Sequence, residues 1–412
     1  MSSVSAMPPS QRRARGLVAT YVLVQFGLLP ATEVLRLTGV FNTGLLVRYV
    51  GAIFVSWGVL LLARSRRSIV HPIQVALLGV AAIAAIVGVV NGSNPLSVGF
   101  ASHVMQPIGA AVMVGIGWQL GQVVETQLRY VWRVSIWTAL FALALIAAAF
   151  AAGLVPRYNG PSYSVLPGLA VSAVGGGGPL VAPLGLLLLS AKRGALIAGA
   201  GGLLLALAAT SRRRVLRLGL IATMGWLLLA LLQPLLASDS SSGRSLAGVQ
   251  ALAEQTTERV EFTVDALGDG SLDSLDVASS GRLTEVRSAL ALWDSWTPVL
   301  GIGAGVKMGA THNIHFSPLG LSTVFGIPAA LFIYASCALA VFRGLRRARR
   351  SRPSAAAAVY VGMATIYSLT AYNLLVDLAV FVAVGWLLNA TNEDASAVDV
   401  NVSDLATPSV LR

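Results

Sequence analysis

This chain has little of what a soluble protein of 412 residues carries. Charged residues make up 11% of it, aromatic residues 7%, and Cys337 is its one cysteine. A single cysteine excludes an intrachain disulfide framework. Length alone would imply two or three globular domains, but so little charge cannot coat them with a solvated surface. Lysine is nearly missing: of 29 basic residues only Lys192 and Lys307 are not arginine. Metal-binding patterns are missing too. No Cys/His cluster has zinc spacing, and "DGSLDSLD" (269–276) has no closing Glu where a calcium loop requires one. "GIGAG" (301–305) follows no strand and precedes no phosphate-binding Lys, which argues against a nucleotide loop. No metal and no cofactor are expected.

What is present is apolar. Hydrophobic residues are 56% of the chain and the mean hydropathy is +0.76. They fall in runs of about 17–25 residues, long enough to cross a bilayer. The expected fold class is therefore all-α, a polytopic transmembrane helical bundle. Candidate spans are 17–30, 44–63, 69–90, 103–122, 134–154, 179–190, 195–210, 218–237, 317–342, 354–371 and 374–389. The basic start, "MSSVSAMPPSQRRARG", leads into an apolar run with no small-residue cleavage site, so 17–30 reads as a retained span.

The net charge of +12 does not mark a nucleic-acid binder, because the arginines are clustered between apolar runs. The clusters are "QRRAR" (11–15), "RSRR" (64–67), "SRRRVLR" (211–217) and "RGLRRARRSR" (343–352). That is the positive-inside pattern of cytoplasmic loops, which also attract anionic lipid headgroups. The one long polar segment, 238–316, holds ten of the seventeen acidic residues. Arginine-rich loops flank it on both sides, which places it outside the cytoplasm. The organisation expected is a basic cytoplasmic N-terminus (1–16), a transmembrane bundle (17–237), a large extracytoplasmic loop (238–316), further spans (317–389) and a disordered cytoplasmic tail (390–412). Span counting from the two ends agrees only if 156–190, with four consecutive glycines at 175–178 and five prolines, crosses twice or not at all. About twelve membrane segments then bring both termini to the cytoplasmic side.

The long loop closes on an ordered set of features. "SSGRLTEVRSALALWDSW" (279–296) is compatible with an amphipathic helix that gathers Leu283, Val286, Leu290 and Trp293 on one side and sets Arg282 beside Glu285. A Pro- and Gly-rich turn follows, "TPVLGIGAG" (297–305), and then "THNIHF" (311–316) opens the next apolar run. Upstream, Arg193 stands at the start of a span. Each residue also has an ordinary role available: interfacial anchor for Arg193, solvated ion pairing for Arg282 and Arg287, first-turn capping for His312.

In this order the features resemble the O-antigen ligase and O-antigen polymerase superfamily of membrane glycosyltransferases. The elements that carry the resemblance are "SAKRGA" (190–195), "SGRLTEVRSALALW" (280–293), "PVLGIGAG" (298–305), "THN" (311–313) and "LSTVFGIPA" (321–329). They lie within residues 185–390. Lys192 interrupts the usual Ser-Arg spacing, His315 stands where an aromatic is usual, and Pro328 replaces a second Gly. "ATSRRRV" (209–215) offers Arg212 as the alternative first arginine, and positive-inside logic prefers Arg193.

The resemblance implies glycan transfer from a polyprenyl-diphosphate carrier to a glycan, lipid or protein acceptor at the outer face of the bacterial cytoplasmic (inner) membrane, without a metal. It implies donor-diphosphate binding by Arg193, Arg282 and Arg287, with His312 and Arg282 catalytic. Asn313, His315, Tyr372, Asn373 and Asp377 would support the site. Arginine suits a diphosphate because it pairs bidentately and keeps its proton. Histidine suits an acceptor hydroxyl because it titrates near neutrality. An alternative from another class is a secondary transporter of a small solute or envelope precursor, which would place broken helices or charges near the midplane of paired halves.

Overall fold

The computed structural model describes residues 9–28, 43–64, 71–120, 134, 137, 141, 166–175, 193–210, 282–306, 316–348, 351–370 and 373–389. Every regular element among them is helical. Helix α1 is Pro9–Leu23, continued by a π turn Val24–Leu28; α2 is Thr43–Ala63, α3 Pro72–Val90 and α4 Val98–Leu120. Then come α5 (Leu166–Gly175), α6 (Arg193–Ala209), α7 (Arg282–Leu290) and α8 (Thr297–Leu300). The last group is α9 (Ser317–Phe325), α10 (Ile327–Arg347), α11 (Arg352–Ser368), a 3₁₀ turn (Leu374–Val376) and α12 (Leu378–Asn389). Among the described residues, α3, α4 and α10 are long and apolar enough to cross a membrane.

Helix α4 is the hub, packed by α1, α2, α3 and α12. Its tightest contact is with α12, where small residues let two backbones meet. A Cβ on Gly117 would strike the Val382 carbonyl, and one on Gly385 would strike the Val114 carbonyl. Between helices in lipid, where apolar burial gives no preference, such close approach supplies the van der Waals attraction. Gly109 meets Leu378 while Gly117 meets Val382 and Trp386, so α4 and α12 run parallel. Helix α3 is antiparallel to α4: Gln74, in its first turn, donates to the Ala111 carbonyl (3.1 Å), in the C-terminal half of α4.

Two distinct ends result. One gathers the C-termini of α4, α10 and α12. There Arg343 donates to the Leu388 carbonyl (3.2 Å) and Arg347 to the Leu387 carbonyl (3.0 Å). Asn389 Nδ2 donates to the Trp118 carbonyl at the same end. The other end gathers the C-terminus of α3, the N-terminus of α4 and residues 301–306.

The apolar run expected as one span, 317–342, is two helices instead. At Gly326 (φ 87°, ψ 158°) the chain leaves helical geometry, a left-handed φ that suits glycine and few other residues. Pro328 in the first turn of α10 has no N–H to continue the ladder. The chain turns back, so that Ser317, first in α9, reaches the Tyr334 hydroxyl in α10. Hydropathy registers an unbroken run there because α9 and α10 are both apolar. The 279–296 helix is also shorter than its pattern, ending at Leu290. Among its described side chains Ala289 is buried and Leu290 is exposed. Trp293, past the helix end, packs through an Nε1–H bond to the Thr323 hydroxyl (3.0 Å).

Candidate functional site

The glycine turn is the structural centre of the candidate site. It is threaded between α3 and the α9–α10 corner, and its backbone is bonded on both sides. Ile302 N–H donates to the Thr323 carbonyl (2.7 Å) and Gly303 N–H to the Val324 carbonyl (3.1 Å). Ala304 N–H donates to the Ala84 carbonyl of α3 (2.8 Å). Asn91 Nδ2 donates to the Ile302 carbonyl (2.9 Å), and Gly305 N–H donates to His103 Nδ1 on α4 (3.1 Å). Irregular backbone beside spanning helices is sustained only where its polar groups are satisfied by protein. Here α3 with its C-cap Asn91, α4 and α9 supply the partners.

At Gly301 and Gly303 side chains are excluded by the crossing itself. A Cβ on Gly303 would collide with the Gly88 backbone, and one on Gly88 with Ala304. On the opposite side, a Cβ on Gly301 would collide with Val324 and one on Gly326 with Val299. Gly303 (φ 83°) also holds a left-handed conformation. Two sequence elements, "PVLGIGAG" and "LSTVFGIPA", are thus one packed unit, and Gly88 of α3 completes it. Upstream, Asp294 anchors the entry to α8. Its Oδ1 accepts from Trp296 N–H (2.9 Å), Thr297 N–H (2.8 Å) and the Thr297 hydroxyl (2.8 Å). The Thr297 hydroxyl first, then these N–H groups, hold its carboxyl below the usual range.

The sequence-predicted residues divide into three groups. His312, Asn313, His315 and Tyr372 lie outside the described residues. Arg193 and Arg282 open α6 and α7 and are described in backbone only. For the rest, Arg287 is exposed and Glu285 half-buried on α7, which packs on α9. Asn373 Nδ2 donates to Gln106 Oε1 of α4 (3.1 Å), while its Oδ1 accepts from Leu375 N–H (3.1 Å). That brings Asn373 within one helical turn of His103. Asp377 lies inside the bundle, fully buried. Its Oδ2 accepts from the Tyr360 hydroxyl (2.7 Å), and its Oδ1 accepts from Ala379 N–H (3.1 Å) at the start of α12.

Sequence reasoning missed His103, Asn91, Gln106 and Tyr360. A signal existed for two of them: His103 and Gln106 stand three apart in a mostly apolar helix, hence on one face. Pro107 reinforces it, since it has no N–H to give to the His103 carbonyl four residues back.

At the opposite end His71 caps α3. Its Nδ1 accepts from Ile73 N–H (3.2 Å), its own N–H donates to Gln74 Oε1 (3.0 Å), and its ring lies 4.5 Å from that of Trp118. Burial, and then the Arg343 guanidinium, hold this imidazole below its ordinary range. No family model, no curated protein and no solved structure matches the chain.

Proposed function

We propose that this protein is a membrane glycosyltransferase of the O-antigen ligase and polymerase type, moving a glycan from a polyprenyl-diphosphate carrier to an acceptor hydroxyl. The observation that carries the reading is the packing of "PVLGIGAG" on "LSTVFGIPA". These two elements bracket "THNIHF" in sequence and stand across the bundle from Arg343 and Arg347. The glycine turn ends at Val306 and α9 is entered at Phe316, so the two packed elements lie on either side, in sequence, of the stretch that holds His312. Positive-inside logic assigns Arg343–Arg352 to the cytoplasm. The site then faces outward, in a bundle of about twelve membrane segments with both termini cytoplasmic.

The chemistry needs few groups. A lipid diphosphate already leaves as an anion, so cations that hold and neutralise it do most of the work; Arg193, Arg282 and Arg287 are assigned to this. His312 accepts the proton of the attacking hydroxyl or orients it, and Asn313, His315, Tyr372 and Asn373 shape its surroundings. Asp377 acts through packing, as the N-cap of α12 and partner of Tyr360.

The test is reconstitution of the purified protein in lipid nanodiscs with a polyprenyl-diphosphate glycan and EDTA. The expected result is release of carrier diphosphate together with glycan product. Arg282→Ala and His312→Ala should each lower turnover by roughly a hundredfold or more while remaining folded, as loss of a preorganised electrostatic or proton-transfer group does. Full turnover in both variants would overturn the assignment.

A further inference from the structure

Residues 1–184 hold none of the elements that carry the resemblance, yet they supply one side of the glycine turn. Three contacts come from α3, its C-terminal Asn91 and α4: the Ala84 carbonyl, the Asn91 amide and the His103 imidazole. Two of these have limited specificity. Ala84 contributes only a main-chain carbonyl, and Asn91 reaches the Ile302 carbonyl, two residues before Ala304. His103 is different. It is buried, 2% exposed, and it takes the N–H of Gly305, two residues before the stretch 307–315. A ring nitrogen that accepts an N–H is unprotonated, so the bond also fixes which nitrogen of a neutral imidazole carries the proton.

We propose that His103 is a positioning residue for the site segment: through Gly305 it sets where the chain leaves the glycine turn toward His312. This rests on the glycosyltransferase reading for its catalytic consequence, though not for the contact itself. An apolar side chain at 103 would leave the Gly305 N–H without its acceptor beside a spanning helix, a penalty the turn can relieve only by moving. Catalytic geometry is sensitive to displacements of about 1 Å, which lower rates by up to a hundredfold. The expected signature is a fall in kcat with KM little changed, because His103 touches Gly305 and is not among the residues assigned to the donor diphosphate. Asparagine is the conservative replacement, since its Oδ1 stands close to the position of a histidine Nδ1 and can accept the same N–H.

The experiment compares wild type, His103→Leu and His103→Asn, each full-length in nanodiscs, by two readouts. Hydrogen exchange across 301–306 should speed roughly tenfold in His103→Leu and return toward wild type in His103→Asn. Turnover of the polyprenyl-diphosphate glycan should fall about tenfold or more in His103→Leu and recover substantially in His103→Asn. Unchanged exchange in His103→Leu overturns the contact. Faster exchange with wild-type kcat overturns the positioning role. A leucine variant that fails to fold leaves the decision to His103→Asn and to His103→Ala, judged by the same exchange window. A folded wild type that never transfers glycan defeats the glycosyltransferase reading and the catalytic role of His103 with it, and exchange still decides the contact.

Discussion

The two ends of this bundle are held by different physics. At one, backbone meets backbone: Gly303 against Gly88, Gly301 and Gly326 against the carbonyl-bearing turns of the opposite segment, with neutral hydrogen bonds taking the N–H groups of residues 301–305. At the other, Arg343 and Arg347 reach the last carbonyls of α12, where the helix dipole is negative. Steric fit defines one geometry and tolerates almost no substitution. Charge on a flexible stem tolerates several geometries and weakens with salt. On the proposed function, the first kind of end suits the stretch between Val306 and Phe316, which its elements flank in sequence.

The comparison can be broken most forcefully at the glycine end. Gly303→Ala places a methyl on the Gly88 backbone in a left-handed conformation. It should destabilise the fold by about 3 kcal/mol or more, as overpacking combined with backbone strain does. The measure is thermal unfolding in detergent, with Gly92→Ala as the control. Gly92 also has a positive φ but nothing near its Cβ position. Equal losses in the two variants would show that strain alone matters and that the crossing does not.

A smaller effect is expected from the cap of α3. His71→Ala should cost about 1 kcal/mol, the usual worth of an N-cap. Its pH dependence follows from the sign of the shift. The folded imidazole titrates below 6.5, so the folded state binds fewer protons than the unfolded chain. The stability from His71 is therefore full above about pH 6.5 and drains as pH falls through the folded value. Hydrogen exchange at residues 72–76 should quicken on acidification in wild type and become insensitive to that window in His71→Ala.

The smallest effect is predicted for Arg343→Gln. Loss of one exposed-end charge bond should cost less than about 1 kcal/mol, with reduced salt dependence. Because Arg343 is the lesser of the two influences on His71, its removal should move the exchange midpoint of 72–76 upward in pH only partway toward the ordinary value. A downward move would contradict the proximity of the two groups.

Much of the helical content was legible in the sequence because apolar runs register one-dimensional burial. The run at 44–63 corresponds to α2 (Thr43–Ala63), that at 195–210 to α6 (Arg193–Ala209), and that at 354–371 to α11 (Arg352–Ser368). The break at Gly326 was not legible, since hydropathy counts α9 and α10 as one run. Gly88 meeting Gly303 was not legible either. The two are 215 positions apart, and small residues in membrane helices have packing as their default meaning. The buried Asp377 was visible as an unusual acid in an apolar run, but its partner Tyr360 was hidden among apolar residues of α11. Of the candidate site, the order of motifs could be read and the contacts between them could not.

The claim that the candidate site faces away from the cytoplasm is tested most directly by two-sided thiol labelling in intact cells. In a Cys337→Ser background, one cysteine replaces Leu96, which is 93% exposed in the α3–α4 turn near the glycine loop, and another replaces the exposed Arg352. With a membrane-impermeant maleimide, position 96 should label in intact cells and position 352 only after permeabilisation. Labelling of 352 but not 96 in intact cells would place the glycine end in the cytoplasm and contradict transfer at the outer face.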